Sequence, residues 1–538
     1  MANADQWPPS PFHIAGARYN EHRAWWSGDM ATIKAIYSGT GVATHTHKGV
    51  AHRGGVIGGL SKMFWGQPVA EGESRTQLHL PLPADVAQKS SSLLFGEAPR
   101  IELPDFEEKN KAGQARLDLI MRSDESHSQL LIAGEYASAL GGAYLAPVWD
   151  SEVADHVFPK AYRADVAIPT FRHGRLSSVK LWTEYRTDNA NIIFRLIEEH
   201  TAGLIRYTLH KGGENVLGQA VPITEHTETA HLSGLISPVE YLSLATDGKY
   251  TVSVATGISE MAVSYIPNML PNPDWEQFGP LASVGRSDFL GNEPVFDKVD
   301  AMWSSLFRDV ENGQGRLTVP ESYLENAGVG KGATFDPYRQ VYSGINALGS
   351  AGDSLASQIT ETQFDIRDET HLNIIDALER RVLRTIGLSP KEFGKVQPSG
   401  NKTATEVTDD RSESEATRDV KGIHARPALA KLARLSLAID GVVFGGKGGG
   451  EFGVPEVTFA KISQEDPEKR ARTLQILDMA RAISLEARVR ERVRDDNLTE
   501  TEIKEEIARV QMEQGSPAPD PATFTGVEDE GDPDASGN

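Results

Sequence analysis

Residues 292–440 constrain the fold more than any other stretch of the chain. Two helical patterns of similar length bracket a turn-rich insert, and a short loop rich in Pro and Gly leads into a long, very polar helix. The first pattern can take Asn292 as its N-cap, tolerates Pro294 in its first turn, and stops at Asn312-Gly313. Its apolar residues Val295, Val299, Trp303, Leu306 and Val310 fall at steps of four, four, three and four, which is one stripe of an α-helix. The second pattern covers 365–387, with Leu372, Ile375, Leu378, Val382 and Ile386 as its stripe. At 1.5 Å per residue each helix is about 30 Å long. Between them, 316–364 reads as short strands and Gly-rich turns. The pattern predicts a rod with a small domain at its tip. A lone core has no need of such a rod; a ring of subunits can use one.

The helix after the loop is predicted over 403–440. Its first half reads TATEVTDDRSESEATRD, in which Val407 is the only large apolar residue. A surface helix ordinarily carries an apolar stripe, and here none is expected before Val420 and Ile423. Pro427 is expected to bend the helix, because proline removes a hydrogen bond and crowds the preceding turn. Beyond it Leu429, Leu432, Leu435 and Ile439 restore a core-facing side. The polar half is either solvated, with its charges paired, or it lines a wet channel.

Composition removes several function classes. With 538 residues the chain is long enough for several domains. It has no cysteine, which excludes disulfides and thiolate zinc sites and suits a reducing cytoplasm. No stretch approaches the roughly 20 apolar residues of a membrane span, and the polar N-terminus lacks a signal pattern, so no membrane partner is expected. The formal net charge of −22 argues against a protein that grips DNA through its phosphates. It does not argue against a wall past which DNA slides.

Before residue 292 the pattern is α+β. Helices are predicted over 12–37, 84–95 and 115–140, the last two stopped by Gly96 and by Gly141-Gly142. Strands are predicted over 143–149, 164–168, 176–182, 192–198 and 204–210, with a turn at Lys211-Gly212-Gly213. Short loops make antiparallel pairing the expectation. After residue 440 come a Gly-rich loop over 441–450, a strand near Val457, and helices over 466–493 and 499–514. Thr499 and Glu502 form a capping box for the last helix. The Pro-, Gly- and acid-rich tail from Gly515 is expected to be disordered.

No pattern makes a case for catalysis. Gly328-Val329-Gly330-Lys331-Gly332 resembles a phosphate loop, but Glu325 replaces its first glycine and Gly332 stands where Ser or Thr must bind magnesium. The run from Gly445 to Gly448 lacks the same hydroxyl and reads as a hairpin loop. His45, His47 and His52 lie in a Gly/Thr-rich loop with no acidic partner at a diagnostic spacing. Glu198, Glu199 and His200 read as a strand end rather than an acid/base pair. The expectation is therefore no enzyme, no catalytic or metal residues and no cofactor.

A resemblance sharpens this picture. It rests on Gly285-Arg286-Ser287-Asp288-Phe289 before the first rod helix and on Ala377-Leu378-Glu379-Arg380-Arg381-Val382-Leu383 within the second. Gly387-Leu388-Ser389-Pro390, Asn401-Lys402-Thr403-Ala404-Thr405-Glu406-Val407 and Leu498-Thr499-Glu500-Thr501-Glu502-Ile503 follow. In this order, over residues 10–514, they resemble the portal protein of tailed bacteriophages of the siphophage type. The resemblance implies an α+β, multidomain portal-like subunit. It would comprise a β-rich wing (1–291), a two-helix stem (292–313 and 365–388) and a small α/β clip (314–364). A tunnel loop (389–402) would lead back to the wing through a long kinked helix and a return strand (403–463). A helical crown (464–514) would precede the acidic tail (515–538), which is not a feature of the family; the N-terminal region matches least.

The resemblance further implies a virion component: a dodecameric ring at one capsid vertex, assembled in the bacterial host cytoplasm and serving as the DNA channel for packaging and genome ejection. Its partners would be double-stranded DNA, the terminase large subunit that drives it, the head-completion and adaptor proteins of the head–tail connector, and the major capsid and scaffolding proteins. Phe393, Lys395, Val396, Gln397, Asn401 and Lys402 would face DNA from the loop. Asp409, Asp410, Glu413 and Glu415 would line the channel, repelling a duplex that carries a charge about every 1.7 Å and so keeping it centred. Val299, Trp303, Leu306, Ile375 and Val382 would pack the stem, with contacts between subunits along it. Phe335, Tyr338 and Tyr342 would anchor partners at the clip, as aromatics favour interfaces. The alternatives are another virion structural protein, such as a minor head or tail-ring component, or a hydrolase with an unrecognised site in the β-rich half.

Overall fold

A computed structural model describes residues 6–38, 78–104, 110–188, 191–234, 240–244, 250–312, 316–318, 325–326, 333–334, 360–362, 366–394, 404–445, 453–459, 467–480, 482–493 and 500–515. They form two compact units, one of 1–106 with 110–460 and one of 107–109 with 461–538. The protein is mixed α+β, as expected.

The first unit opens with α1 (Phe12–Ser27) and α2 (Met30–Ser38) where apolar periodicity alone predicts one helix. Gly28 takes a left-handed conformation, φ 68°, and ends α1. Asp29 starts α2 by accepting the N–H groups of Ala31 and Thr32, each at 3.1 Å. α3 (Leu82–Phe95) and the short β1 (Arg100–Glu102) follow. The predicted helix over 115–140 is likewise two, α4 (Lys111–Met121) and α5 (Asp124–Leu140), because Ser123 Oγ caps a new helix at Ser126 N–H.

Among the described residues the strands pair antiparallel. β2 (Gly142–Val148) lies between β3 (Phe158–Arg163) and β11 (Ser264–Pro267). β4 (Ala167–Arg172), β5 (Arg175–Arg186), β6 (Ile193–Thr201), β7 (Leu204–Gly213), β10 (Tyr250–Ala255) and β9 (Glu240–Leu244) make the larger sheet in that order, with β8 (Val216–Val221) also on β7. Residues 164–166, predicted as strand, form a 3-10 turn instead. β7 continues through the two glycines expected to turn, and the chain reverses at Glu214-Asn215.

α6 (Glu293–Asn312) and α7 (Asp368–Ile386) are the helix pair. Between them β12 (Arg316–Thr318) pairs with β15 (Thr360–Thr362), and β13 (Glu325–Asn326) with β14 (Ala333–Thr334). The β12–β15 pairing brings the chain out of α6 and back into α7 side by side. α8 (Ala404–Val443) is helical without interruption across Pro427 and ends three residues beyond the predicted Asp440. β16 (Glu456–Thr458) then pairs with β1, Ile101 opposite Val457.

Two apolar clusters dominate the first unit. One joins Trp25, Ile33, Phe289, Phe296 and Val299 to Val382, Leu383 and Leu388. The other joins Phe95, Leu117, Ile120 and Leu130 to Leu429, Leu432 and Val457. Each such side chain stabilises the fold by about 2 kcal/mol on burial, so α6, α7 and α8 are all fastened by apolar packing within one chain.

In the second unit the predicted helix over 466–493 is broken into α9 (Pro467–Met479) and α10 (Leu485–Arg492), because Ser484 Oγ accepts the Ala487 N–H and starts α10 afresh. α11 (Glu500–Gly515) completes it. No described helix is long and apolar enough to cross a membrane.

Candidate functional site: the helix pair, its joint and the long helix

The segment before α6 is positioned by two glycines. Gly141, φ 86°, and Gly285 approach so closely that a Cβ on either would lie under 2.5 Å from the other's carbonyl oxygen. Ser287 Oγ then donates to the Ala139 carbonyl at 2.7 Å, and Asp288 is buried beside it. Asp288 Oδ2 accepts from Ser138 Oγ at 2.6 Å and from Lys421 Nζ of α8 at 2.5 Å; Oδ1 accepts from Asn268 Nδ2 at 2.8 Å. Lys421 also donates to Ser90 Oγ at 2.6 Å. One carboxylate thus ties α3, α5, the turn after β11 and α8 to the root of α6. A buried pair of this kind is costly to break, since removing one partner leaves the other charged and dry.

α6 has two buried stripes where the sequence suggests one. Phe296, Val299 and Leu306 are buried on the apolar side. Glu293, Asp297, Asp300 and Ser304, at steps of four, three and four, are buried on a polar side. Glu293 Oε1 meets His22 Nε2 at 3.0 Å and Arg18 Nη1 at 3.3 Å, while its Oε2 accepts the Gly291 N–H. Burial alone would raise the Glu293 carboxyl, but His22 and Arg18 outweigh it and hold the pKa at about 2. Asp300 accepts from the Leu80 N–H at 2.9 Å and lies 2.8 Å from His79 Nδ1; burial pushes its carboxyl up despite that partner. Asn292 stands at the predicted N-cap position, directly before Glu293, but its side chain turns the other way. Its Nδ2 donates back to the Asp288 carbonyl, and only its backbone carbonyl receives the first helical N–H groups.

The predicted stem stripe divides. Val299, Leu306, Ile375 and Val382 are buried within the chain and Trp303 is half-buried. These side chains therefore pack α6 and α7 inside one subunit. Val310 and Leu372, expected in the same stripe, are exposed, together with Phe307 and Ile374. Both belong to the half of the pair nearest the insert, where Arg367 Nη2 reaches Asp309 Oδ2 at 2.9 Å and His371 Nε2 lies 3.2 Å from Ser305 Oγ.

The joint after α7 is built, not slack. Gly387, φ 78°, ends the helix, with its own and the Leu388 N–H bonded to the Leu383 carbonyl at 2.9 Å. Thr417 Oγ1 of α8 donates to the Gly387 carbonyl at 2.7 Å, and Ser414 Oγ accepts the Ser389 N–H at 2.8 Å. Pro390–Phe393 forms a 3-10 turn ended by Gly394, φ 71°. Phe393, expected to face DNA, is half-buried and packs against the first apolar cluster instead. An aromatic ring so close to an apolar surface gains more there than in water.

Lys395, Val396, Gln397, Asn401 and Lys402 lie outside the described residues, as do Phe335, Tyr338, Tyr342, the phosphate-loop-like run near Lys331 and His45, His47 and His52. Asp409 and Asp410 belong to α8, described there by backbone alone. Glu413 is exposed and Glu415 half-buried.

The polar half of α8 does have an inward face, and it is a polar one. Ser414, Arg418, Lys421 and Ala425 are buried at helical spacing and continue into Leu429 and Leu432. Val420 and Ile423, expected to start the apolar stripe, fall off that line; Ile423 is 60% exposed. The other end is locked by Asp440, which accepts from Arg116 Nε at 2.7 Å and Nη2 at 2.9 Å and from the Val157 N–H at 3.1 Å. In the sequence Arg418, Lys421 and Asp440 stand out only as charges on a polar helix.

Glu198 and His200 sit on β6, near its end. Glu198 accepts from the Tyr162 hydroxyl at 3.1 Å and lies 3.7 Å from His200 Nε2. Burial would raise its carboxyl, but His200 outweighs this and lowers it. Glu199 faces out and pairs with Lys180 and Arg206. Among the described residues no group of His, Asp and Glu could hold a metal ion.

No family model matches the sequence, and no curated protein matches it. The chain is similar in structure to chains of solved particles, among them the following three. One, from the neck of an empty GTA particle computed with C6 symmetry, has a TM-score of 0.41 and 11% identity over 78% of this chain and 93% of that one. A second, from the neck of a native GTA particle computed with C12 symmetry, has a TM-score of 0.40 and 10% identity over 76% and 88%. The third, from the virion of a native gene transfer agent (GTA) particle, has a TM-score of 0.38 and 11% identity over 80% and 90%.

Proposed function

We propose that this chain is a structural subunit of a phage-type particle, and more finely that it is a portal. In this reading about twelve copies close a ring at one capsid vertex, DNA passes through the ring during packaging and ejection, and terminase and head–tail connector proteins dock on it. The observation that carries the reading is the built sequence of α6, insert, α7, joint and α8. Two helices of about 30 Å leave and return together. The turn at Gly387–Gly394 is bolted to α8 by Thr417 and Ser414, and α8 is bolted in turn to the root of α6 by Lys421 and Asp288. Such a frame holds the start of the loop over 389–402 fixed while leaving α6 and α7 with exposed apolar residues near the insert. The exposed Glu413 and a net charge of −22 fit a wall that repels DNA weakly rather than binding it.

Native mass spectrometry and electron micrographs of the purified protein test this. A closed ring of about twelve subunits is expected. A monomer or dimer at every concentration tried would overturn the portal reading.

A further inference from the structure

The second unit carries an unusual helix. α9 leaves Ile476 59% and Met479 73% exposed, and α11 leaves Met512 76% exposed. Ile476 and Met479 lie within one turn of each other on α9, so the two form an adjoining exposed apolar pair. Their placement is ordered. Arg472, Ile476 and Met479 fall at steps of four and three on one face of α9, and all are exposed. Glu505, Ala508 and Met512 fall at steps of three and four on one face of α11, and all are exposed.

The two faces are complementary. Laid side by side in the same direction, Arg472 meets Glu505 and Met479 meets Met512, because both pairs are separated by seven residues. Between them Ile476 sits one residue, about 1.5 Å, along the axis from Ala508, so a branched side chain can lie over a small one, which is how helices interdigitate. The sequence charges agree: α9 carries Lys469, Arg470 and Arg472 against Glu468 and Asp478, whereas α11 carries five glutamates against Lys504 and Arg509. α11 already uses Glu506 within its own chain, paired with Arg492 and Arg509, which leaves Glu505 facing out.

We propose that α9 of one copy packs along α11 of a second copy, through Arg472, Ile476 and Met479 on one side and Glu505, Ala508 and Met512 on the other. The contact is head-to-tail, since it joins two different surfaces. Such contacts close into rings when the rotation allows. This inference rests on the proposed ring and adds to it the surface that joins neighbours in the second unit.

The absence of native cysteine gives a clean test. Full-length Met479→Cys and Met512→Cys chains are purified separately, mixed under assembly conditions and oxidised, and the size of the particles is measured before oxidation. A disulfide-linked dimer is expected on a denaturing gel from the mixture and from neither variant alone. Adding Arg472→Glu to the Met479→Cys chain should reduce the yield several-fold, and Glu505→Arg in the Met512→Cys chain should restore it. No link in the mixture while rings of normal mass form overturns the inference and spares the ring. Links within each variant alone show a symmetric contact and also overturn it. Monomers throughout overturn both.

Discussion

Glu293 shows how much of this frame depends on single buried charges. Its carboxyl sits at about 2 instead of the ordinary 4.5 because His22 and Arg18 prefer it ionised. A depressed carboxylate contributes stability that is complete above about pH 4.5 and is lost as the pH falls toward 2. The shift corresponds to about 3 kcal/mol. Glu293→Gln is therefore expected to lower the stability of the first unit by about 3 kcal/mol at pH 7, and to flatten the loss of stability on acidification. Denaturant midpoints at pH 7 and pH 3 check this. A variant that loses as much stability as the wild type between those two values would show that another group carries the acid sensitivity.

At the scale of elements, the loop over 389–402 begins with a built turn. Its first residues are held by Gly387, Ser389 and the 3-10 turn. We expect Lys395→Glu combined with Lys402→Glu to leave ring mass unchanged and to alter packaged DNA length or retention. Wild-type length and retention at every salt concentration would remove these lysines from the DNA path. Regular helices and their glycine stops were legible in the chain: the stripes of α6 and α7, the stops at Gly141 and Gly387, and the antiparallel strands all follow local rules. The breaks at Asp29, Ser123 and Ser484 were not, because apolar spacing runs on across a capping residue that restarts the helix. The inward face of α8 was illegible for a different reason. Lys421 and Ser414 read as solvated until Asp288 and Ser389, distant in sequence, supply their partners, and Arg418 until the Phe459 ring comes within 6.0 Å of its guanidinium. The same holds for Asp440, whose partner Arg116 lies on α4.

At the scale of the whole molecule, the division of the stem stripe changes which residues a neighbouring copy can meet. Trp303 and Ile375 were expected to make that contact, yet Ile375 is buried inside the chain and Trp303 half so. The exposed apolar residues of α6 and α7 are Phe307, Val310, Leu372 and Ile374. Phe307→Asp with Leu372→Asp is expected to weaken or abolish the ring while leaving the monomer folded, since exposed positions tolerate charge in isolation. Particle mass alongside circular dichroism separates the two effects. An intact ring would mean that the half of the helix pair nearest the insert faces solvent in the assembly.

The pairing of β1 with β16 has a consequence for how the protein is made. Arg100–Glu102 leaves the ribosome long before Glu456–Thr458, its hydrogen-bonding partner. At about 5–20 residues per second the first strand waits roughly 20–70 s for the second. Over the same interval the cluster around Leu117 and Leu130 lacks Leu429 and Leu432, which arrive late on α8. The nascent chain therefore carries an open strand edge and a half-built core through most of its synthesis, and such edges attract other chains. The soluble fraction of expressed protein is accordingly expected to rise at lower growth temperature or with added chaperone.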